Sequence, residues 1–129
     1  MFNNQCPHQC TNNNLMLFDS LEGFMLGNLF KNLYMSYRGF SNYFFQSENE
    51  RQDLLTKYQM YSFSAHELNL YLDTHPKDQH ALSLFNDFIQ KKKEAKKIFE
   101  KKYGPLDVNF NTNKDFFEWT KGPWPWECC

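Results

Sequence analysis

SENERQDLLTKYQMYSFSAHELNLYLDTHPKDQHALSLFNDFIQKKKEAKKIFEKKYG, residues 47–104, decides the fold. Ser47-Glu48-Asn49-Glu50 offers a Ser at a candidate N-cap with Glu three residues later, a pairing that satisfies two backbone N–H groups at a helix start. Leu54, Tyr58, Tyr61, Ala65, Leu68 and Leu72 then recur at alternating spacings of four and three, with no Gly or Pro among them. That period puts them on one face of a helix, expected over about 48–73. Asp73-Thr74-His75-Pro76 breaks it, because the residue before a proline is pushed out of the α region. Proline in a first turn loses no hydrogen bond, so a second helix is expected from Pro76, with Asp78 favourable near its positive end. Its apolar face runs through Ala81, Leu82, Phe85, Phe88, Ile89, Ala95, Phe99 and Tyr103, and Gly104-Pro105 stops it at 103.

Two helices of matched length, about 39–42 Å at 1.5 Å per residue, joined by a tight turn predict an antiparallel hairpin. Charge agrees with that direction. The lysines at 91, 92, 93, 96, 97, 101 and 102 would lie beside the acidic start Glu48, Glu50, Asp53 and would also complement the negative end of their own helix.

Outside the hairpin the composition changes twice. Residues 1–14 hold five Asn and two Gln with no apolar period, and read as a disordered arm. Residues 15–46 form a short aromatic-rich segment punctuated by glycine, in which 17–24 (LFDSLEGF) is echoed by 33–40 (LYMSYRGF). The echo suggests two short segments, each closed by a Gly turn, with Gly27-Asn28 as the hinge. Residues 47–129 comprise the hairpin and a tail ending GPWPWECC, whose alternating Pro and Trp favour an extended, polyproline-like strand folded back along the helices. The predicted class is therefore all-α, a two-helix hairpin with the tail packed on it.

Composition narrows the function. The chain has 129 residues, is 41% hydrophobic and 19% aromatic, and carries a net charge of −1. A low apolar fraction concentrated in aromatic rings suits interfaces as well as cores, and the balanced charge gives no whole-protein field for nucleic acid or anionic lipid. No stretch approaches the roughly 18 consecutive apolar residues of a membrane span, and the start lacks a charged leader before an apolar run, so synthesis in the cytosol is expected.

Four motifs, LNLYLDTHP (68–76), DQHAL (78–82), KKYGPL (101–106) and PWPWE (123–127), in this order and spacing, resemble the CotJB family of endospore coat proteins over about 50–127. The segment LEGFMLGNLFKNLY (21–34) is similar to the CotJA family, so the chain resembles a natural fusion of the two. The resemblance implies a structural or assembly component of the spore coat, laid down from the mother-cell cytoplasm. It also implies other coat proteins as partners, including one like CotJC, which resembles a manganese catalase. Self-association is an open possibility. No catalytic residues come with either family, so no enzyme activity and no cofactor are expected.

The residues agree with a binding role. Trp and Tyr dominate interface energies, and the expected partner-binding side chains are Tyr71, Trp119, Trp124, Trp126, Phe24, Phe30 and Tyr34. Cys6, Cys10, Cys128 and Cys129 sit at the chain ends, where they are candidates for cross-links between molecules, while Cys6-Pro7-His8-Gln9-Cys10 is a weak zinc motif. His66, His75 and His80 with Asp73 and Asp78 invite a metal reading, but no Glu stands three residues before a His as a ferritin-like site needs. The lysine run reads as a solvated helix face, since Ala95, Phe99 and Tyr103 are assigned to the core rather than to base stacking. There is no Gly-rich phosphate loop, HExxH or paired nucleophile and base. The rival function is a membrane-surface adaptor anchored by Phe40, Tyr43, Phe44 and Phe45.

Overall fold

A computed structural model describes residues 15–39, 45–111 and 113–127. Three α-helices, α1 (Ser20–Leu26), α2 (Glu50–Thr74) and α3 (Gln79–Tyr103), are accompanied by single 3-10 turns at Lys31–Leu33, Glu118–Thr120 and Pro125–Glu127. Among the described residues there is no β-strand, only an isolated antiparallel bridge between Leu17 and Phe30. The all-α class and the two long packed helices stand as expected.

Both hairpin starts lie later than the sequence suggested, and for the same reason. Ser47 is not the cap of α2. Asn49 takes that position, its Oδ1 accepting from the Gln52 N–H at 2.9 Å while Gln52 Oε1 reaches back to the Glu48 N–H at 2.8 Å. Pro76 likewise stays in the turn and does not open α3. Asp78 caps it, Oδ1 accepting from the Ala81 N–H at 3.0 Å and Oδ2 from the Tyr71 hydroxyl at 3.0 Å. A side chain that accepts orphan N–H groups outweighs the weaker preference of proline for a first turn. The C-terminal end of α3 is as expected: Gly104 has φ 101°, a value that a side chain disfavours.

Antiparallel direction is established by contacts from both ends. Lys102, near the end of α3, pairs with Glu50 at the start of α2, and the Tyr103 hydroxyl donates to the same carboxylate at 3.2 Å. Asp53 is instead held by Lys57 of its own helix at 3.0 Å. Midway, Tyr61 and Phe88 rings lie 6.3 Å apart, and near the open end the Arg51 guanidinium stands 5.6 Å from the Phe99 ring centre.

The core is small and lies mostly toward the turn. Leu68 and Ala81 from the hairpin meet Leu29 and Phe30 from the N-terminal segment, with Tyr71, Leu72, Phe85 and Phe88 packed around them. Ala65, Ala95 and Phe99 complete the buried apolar set, whereas Leu82 and Tyr103, assigned to the core face by spacing, are exposed. Ser64 is fully buried, and among the described residues its hydroxyl has no hydrogen-bond partner.

Leu29 and Phe30 reach the core because the N-terminal segment closes on itself. Asp19 caps α1 through the Leu21 N–H, and Gly27 ends it with φ 73°. Asn28 Oδ1 accepts from the Phe30 N–H at 2.8 Å, and the bonds Phe18 N–H to Leu29 O and Lys31 N–H to Met16 O zip the ends together. Gly27, read as part of a hinge, ends α1 in the left-handed region, whereas Gly23, read as a closing turn, lies buried inside α1, and the two copies of the echo differ where both are described. Residues 20–23 are helical, whereas their counterparts 36–39 in the second copy hold only a turn. The tail also departs from expectation: within the alternating Pro and Trp, read as an extended strand folded back along the helices, Pro125–Glu127 is a 3-10 turn, and neither it nor the turn at Glu118–Thr120 lies against a helix. The expected disordered arm, 1–14, lies outside the described residues.

Two outcomes follow. The Asp78 carboxyl is held below its ordinary value of 3.8, chiefly by the Ala81 N–H bond, with partial burial opposing and the Tyr71 hydroxyl assisting. A depressed carboxyl pKa contributes stability above the unfolded-state value and loses it as pH falls through the folded-state value. Asp78→Ala is expected to cost about 1 kcal/mol at neutral pH, with the gap to the parent chain closing below pH 3.8, as measured by urea denaturation. Ser64→Ala removes a buried hydroxyl that lacks a partner among the described residues, so the same measurement should show no loss, or a gain of up to about 1 kcal/mol.

Candidate functional site

The tail begins with a clamp. Glu100 is only 6% exposed, an unusual position for a carboxylate, and its Oε1 accepts from the Leu106 N–H at 3.0 Å while Lys96 lies 3.8 Å away. Lys96 also pairs with Asp107, which pushes the lysine pKa up and holds the Asp107 carboxyl below its usual value. Gly104 turns the chain out of α3, and these contacts fix the direction it takes.

Beyond the clamp, asparagine side chains take over the work of backbone partners. Asn113 Oδ1 accepts from the N–H groups of Asp115 and Phe116 at 2.9 and 3.2 Å, and Asn111 Oδ1 accepts from the Glu118 N–H at 3.1 Å. Such short-range bonds favour turns over regular structure. The consequence is that Phe116, Phe117 and Trp119 are held in turns and remain exposed. At the tip, Glu127 Oε2 accepts from the Trp124 N–H at 2.8 Å, which folds the PWPWE stretch into one turn. The two indoles stack, with centroids 5.1 Å apart and planes within 7°, leaving Trp126 74% exposed.

The structure divides the seven aromatics expected to bind partners. Phe30 is 8% exposed and lies 5.4 Å from the Tyr71 ring, which itself stacks on His75 at 4.2 Å, so both serve the internal core. Phe24 packs against Phe63 at 6.0 Å, and half-buried Tyr34 against Phe18 at 5.7 Å. Trp119, Trp124 and Trp126 form the tail surface with Phe116 and Phe117, two exposed rings the sequence reading did not select. Their signal was available: paired aromatics beside Asn111 and Asn113, in a stretch with no helical period. Glu100 was also missed, because a glutamate in a lysine-rich run reads as surface charge.

The other candidates are placed as follows. Cys6, Cys10, Cys128 and Cys129 lie outside the described residues, as do Phe40, Tyr43 and Phe44 of the membrane-anchor reading, and Phe45 is exposed. His75 Nδ1 is within hydrogen-bond distance of Thr74 Oγ1 at 2.9 Å and of the Tyr71 carbonyl at 3.2 Å, a turn-closing role. Among the described residues, no group of three His, Cys, Asp or Glu could hold a metal ion, and no helix is long and apolar enough to cross a membrane. Three lysines of the run, Lys91, Lys96 and Lys102, are in ion pairs.

Comparison with protein families matches residues 52–127, more than half of the chain, to a family model described as CotJB protein. The match spans α2, α3 and the tail through the Trp pair. It starts after the N-terminal segment, so the likeness of 21–34 to CotJA gains no support from it. Comparison with curated proteins and with solved structures found no match.

Burial separates core aromatics from surface ones by experiment. Phe30→Ala should destabilise the fold by about 3 kcal/mol, as loss of a buried Phe does, whereas Trp126→Ala should change stability by less than about 0.5 kcal/mol. Thermal denaturation of both variants reads the difference.

Proposed function

The chain belongs to the CotJB family, a family of spore coat-associated proteins, and from that premise we propose that it is a non-enzymatic assembly component that binds other coat proteins through its tail. The observation that carries this reading is the exposed aromatic tail, Phe116, Phe117, Trp119 and Trp126, inside the matched family region and rooted on α3. Exposed Trp on a fixed root is suited to anchoring a partner, since hot spots are enriched in Trp and Tyr. Phe24 and Tyr34 remain secondary candidates at the rim of the N-terminal segment.

The partner we propose is a manganese catalase-like protein of the CotJC kind, with deposition into the coat from the mother-cell cytoplasm. The N-terminal segment, residues 15–46, we read as a CotJA-like piece joined to the CotJB unit at 47–129. The cysteines at both ends are proposed as cross-links between molecules once the coat matures.

Co-expression with a manganese catalase-like neighbour followed by size-exclusion chromatography tests the partner. Co-elution is expected with the parent chain and should be lost on Trp119→Ala combined with Trp126→Ala, while the far-UV circular dichroism stays unchanged. Failure of the parent chain to co-elute removes this partner.

A further inference from the structure

An open groove of about 590 Å³ lies where the start of α1 faces α2. Among the described residues its apolar walls are Leu21, Phe45 and Met60, and its charged rim is Asp19, Asp53 and Lys57. Leu21 and Phe45 are each more than a third exposed, so the walls are open to an incoming side chain. Its volume falls within the roughly 300–1,000 Å³ of sites that take compact organic groups.

We propose that this groove receives the Trp124–Trp126 tip of the tail from a second copy of the chain. The proposal rests on the tail being a binding element, as argued above, and adds one occupant and one receptor. The chemistry of the two surfaces is complementary. The tip offers stacked indoles between Lys121 and Glu127, and the groove offers aliphatic and aromatic walls with Asp19 and Asp53 to meet the lysine and Lys57 to meet the glutamate. Asp53 and Lys57 pair with each other at 3.0 Å, and both side chains are about half exposed and open to an exchange of partners.

Geometry favours a second copy over the chain's own tail. In this chain the tip turn Pro125–Glu127 lies against neither α1 nor α2, the elements that build the groove. The groove is therefore left open to a tip from another molecule. A tip that enters a neighbour's groove leaves that neighbour's tip and its own groove open, so the contact either closes reciprocally as a two-fold dimer or runs head-to-tail into longer chains, and the mass reached at high concentration tells the two apart.

All three tryptophans, 119, 124 and 126, lie in the tail, so intrinsic Trp emission reports on that segment alone. As protein concentration rises, emission should shift to the blue and acrylamide quenching should fall, in step with a rise in mass by light scattering. Met60→Glu in the groove, and Trp124→Ala with Trp126→Ala in the tip, should each weaken association by about tenfold or more. Mixing the groove variant with the tip variant should restore a one-to-one complex, because one supplies an intact tip and the other an intact groove. Lys57→Glu serves as a second groove variant if Met60→Glu disturbs the circular dichroism. A constant mass overturns the proposal, as does a blue shift independent of concentration, association that survives loss of the tip, or failure of the mixture to pair. Co-elution with the catalase-like protein is read separately, so loss of self-docking leaves the partner reading standing, and the reverse.

Discussion

Two antiparallel helices of equal length touch along one line, and that geometry leaves the flanks of both to be covered by something else. Here the buried residues of the two helices are mostly small, Ala65, Ala81, Ala95 and Ser64, with Leu68 and Phe99 as the large apolar ones, while Tyr61, Leu72, Phe85 and Phe88 are only partly covered. Burial on this scale, at about 25 cal/mol per Å² of apolar area, is modest for a chain of this length. The rest of the molecule answers that shortage. Leu29 and Phe30 arrive from a segment that precedes the hairpin, and Leu106 is drawn against α3 by a buried carboxylate.

The hairpin was legible because its signals are local and redundant. Period, breaker and Gly-Pro stop each pointed to the same two helices, and the ends moved by only a few residues when Asn49 and Asp78 proved to be the caps. Gly27 was legible for a similar reason, since a left-handed turn has few other occupants. What could not be read was anything decided by tertiary contact. Phe30 and Trp126 look alike as exposed-or-buried candidates in a list of aromatics, yet one is in the core and the other is nearly free of it. No period distinguishes them; the bridge between Leu17 and Phe30 does.

The tail was misread for a different reason. Alternating Pro and Trp carry a real preference for extended backbone, but Glu127 supplies an acceptor for the Trp124 N–H and the indoles gain from stacking on each other. Those two contacts act over three residues and outweigh the intrinsic preference. The candidate site is therefore a product of side chains that hydrogen-bond their own backbone, Asn111, Asn113 and Glu127, and not of the tryptophans alone.

Glu100 has an effect beyond the fold. By fixing Leu106, and through Lys96 also Asp107, it orders the base of the tail before any encounter takes place. A segment ordered in advance forfeits less conformational freedom when it is captured than one that must be arrested from a random coil. The buried carboxylate at the end of α3 thus acts as a device of preorganisation: it transfers part of the entropic cost of recognition from the moment of binding to the moment of folding.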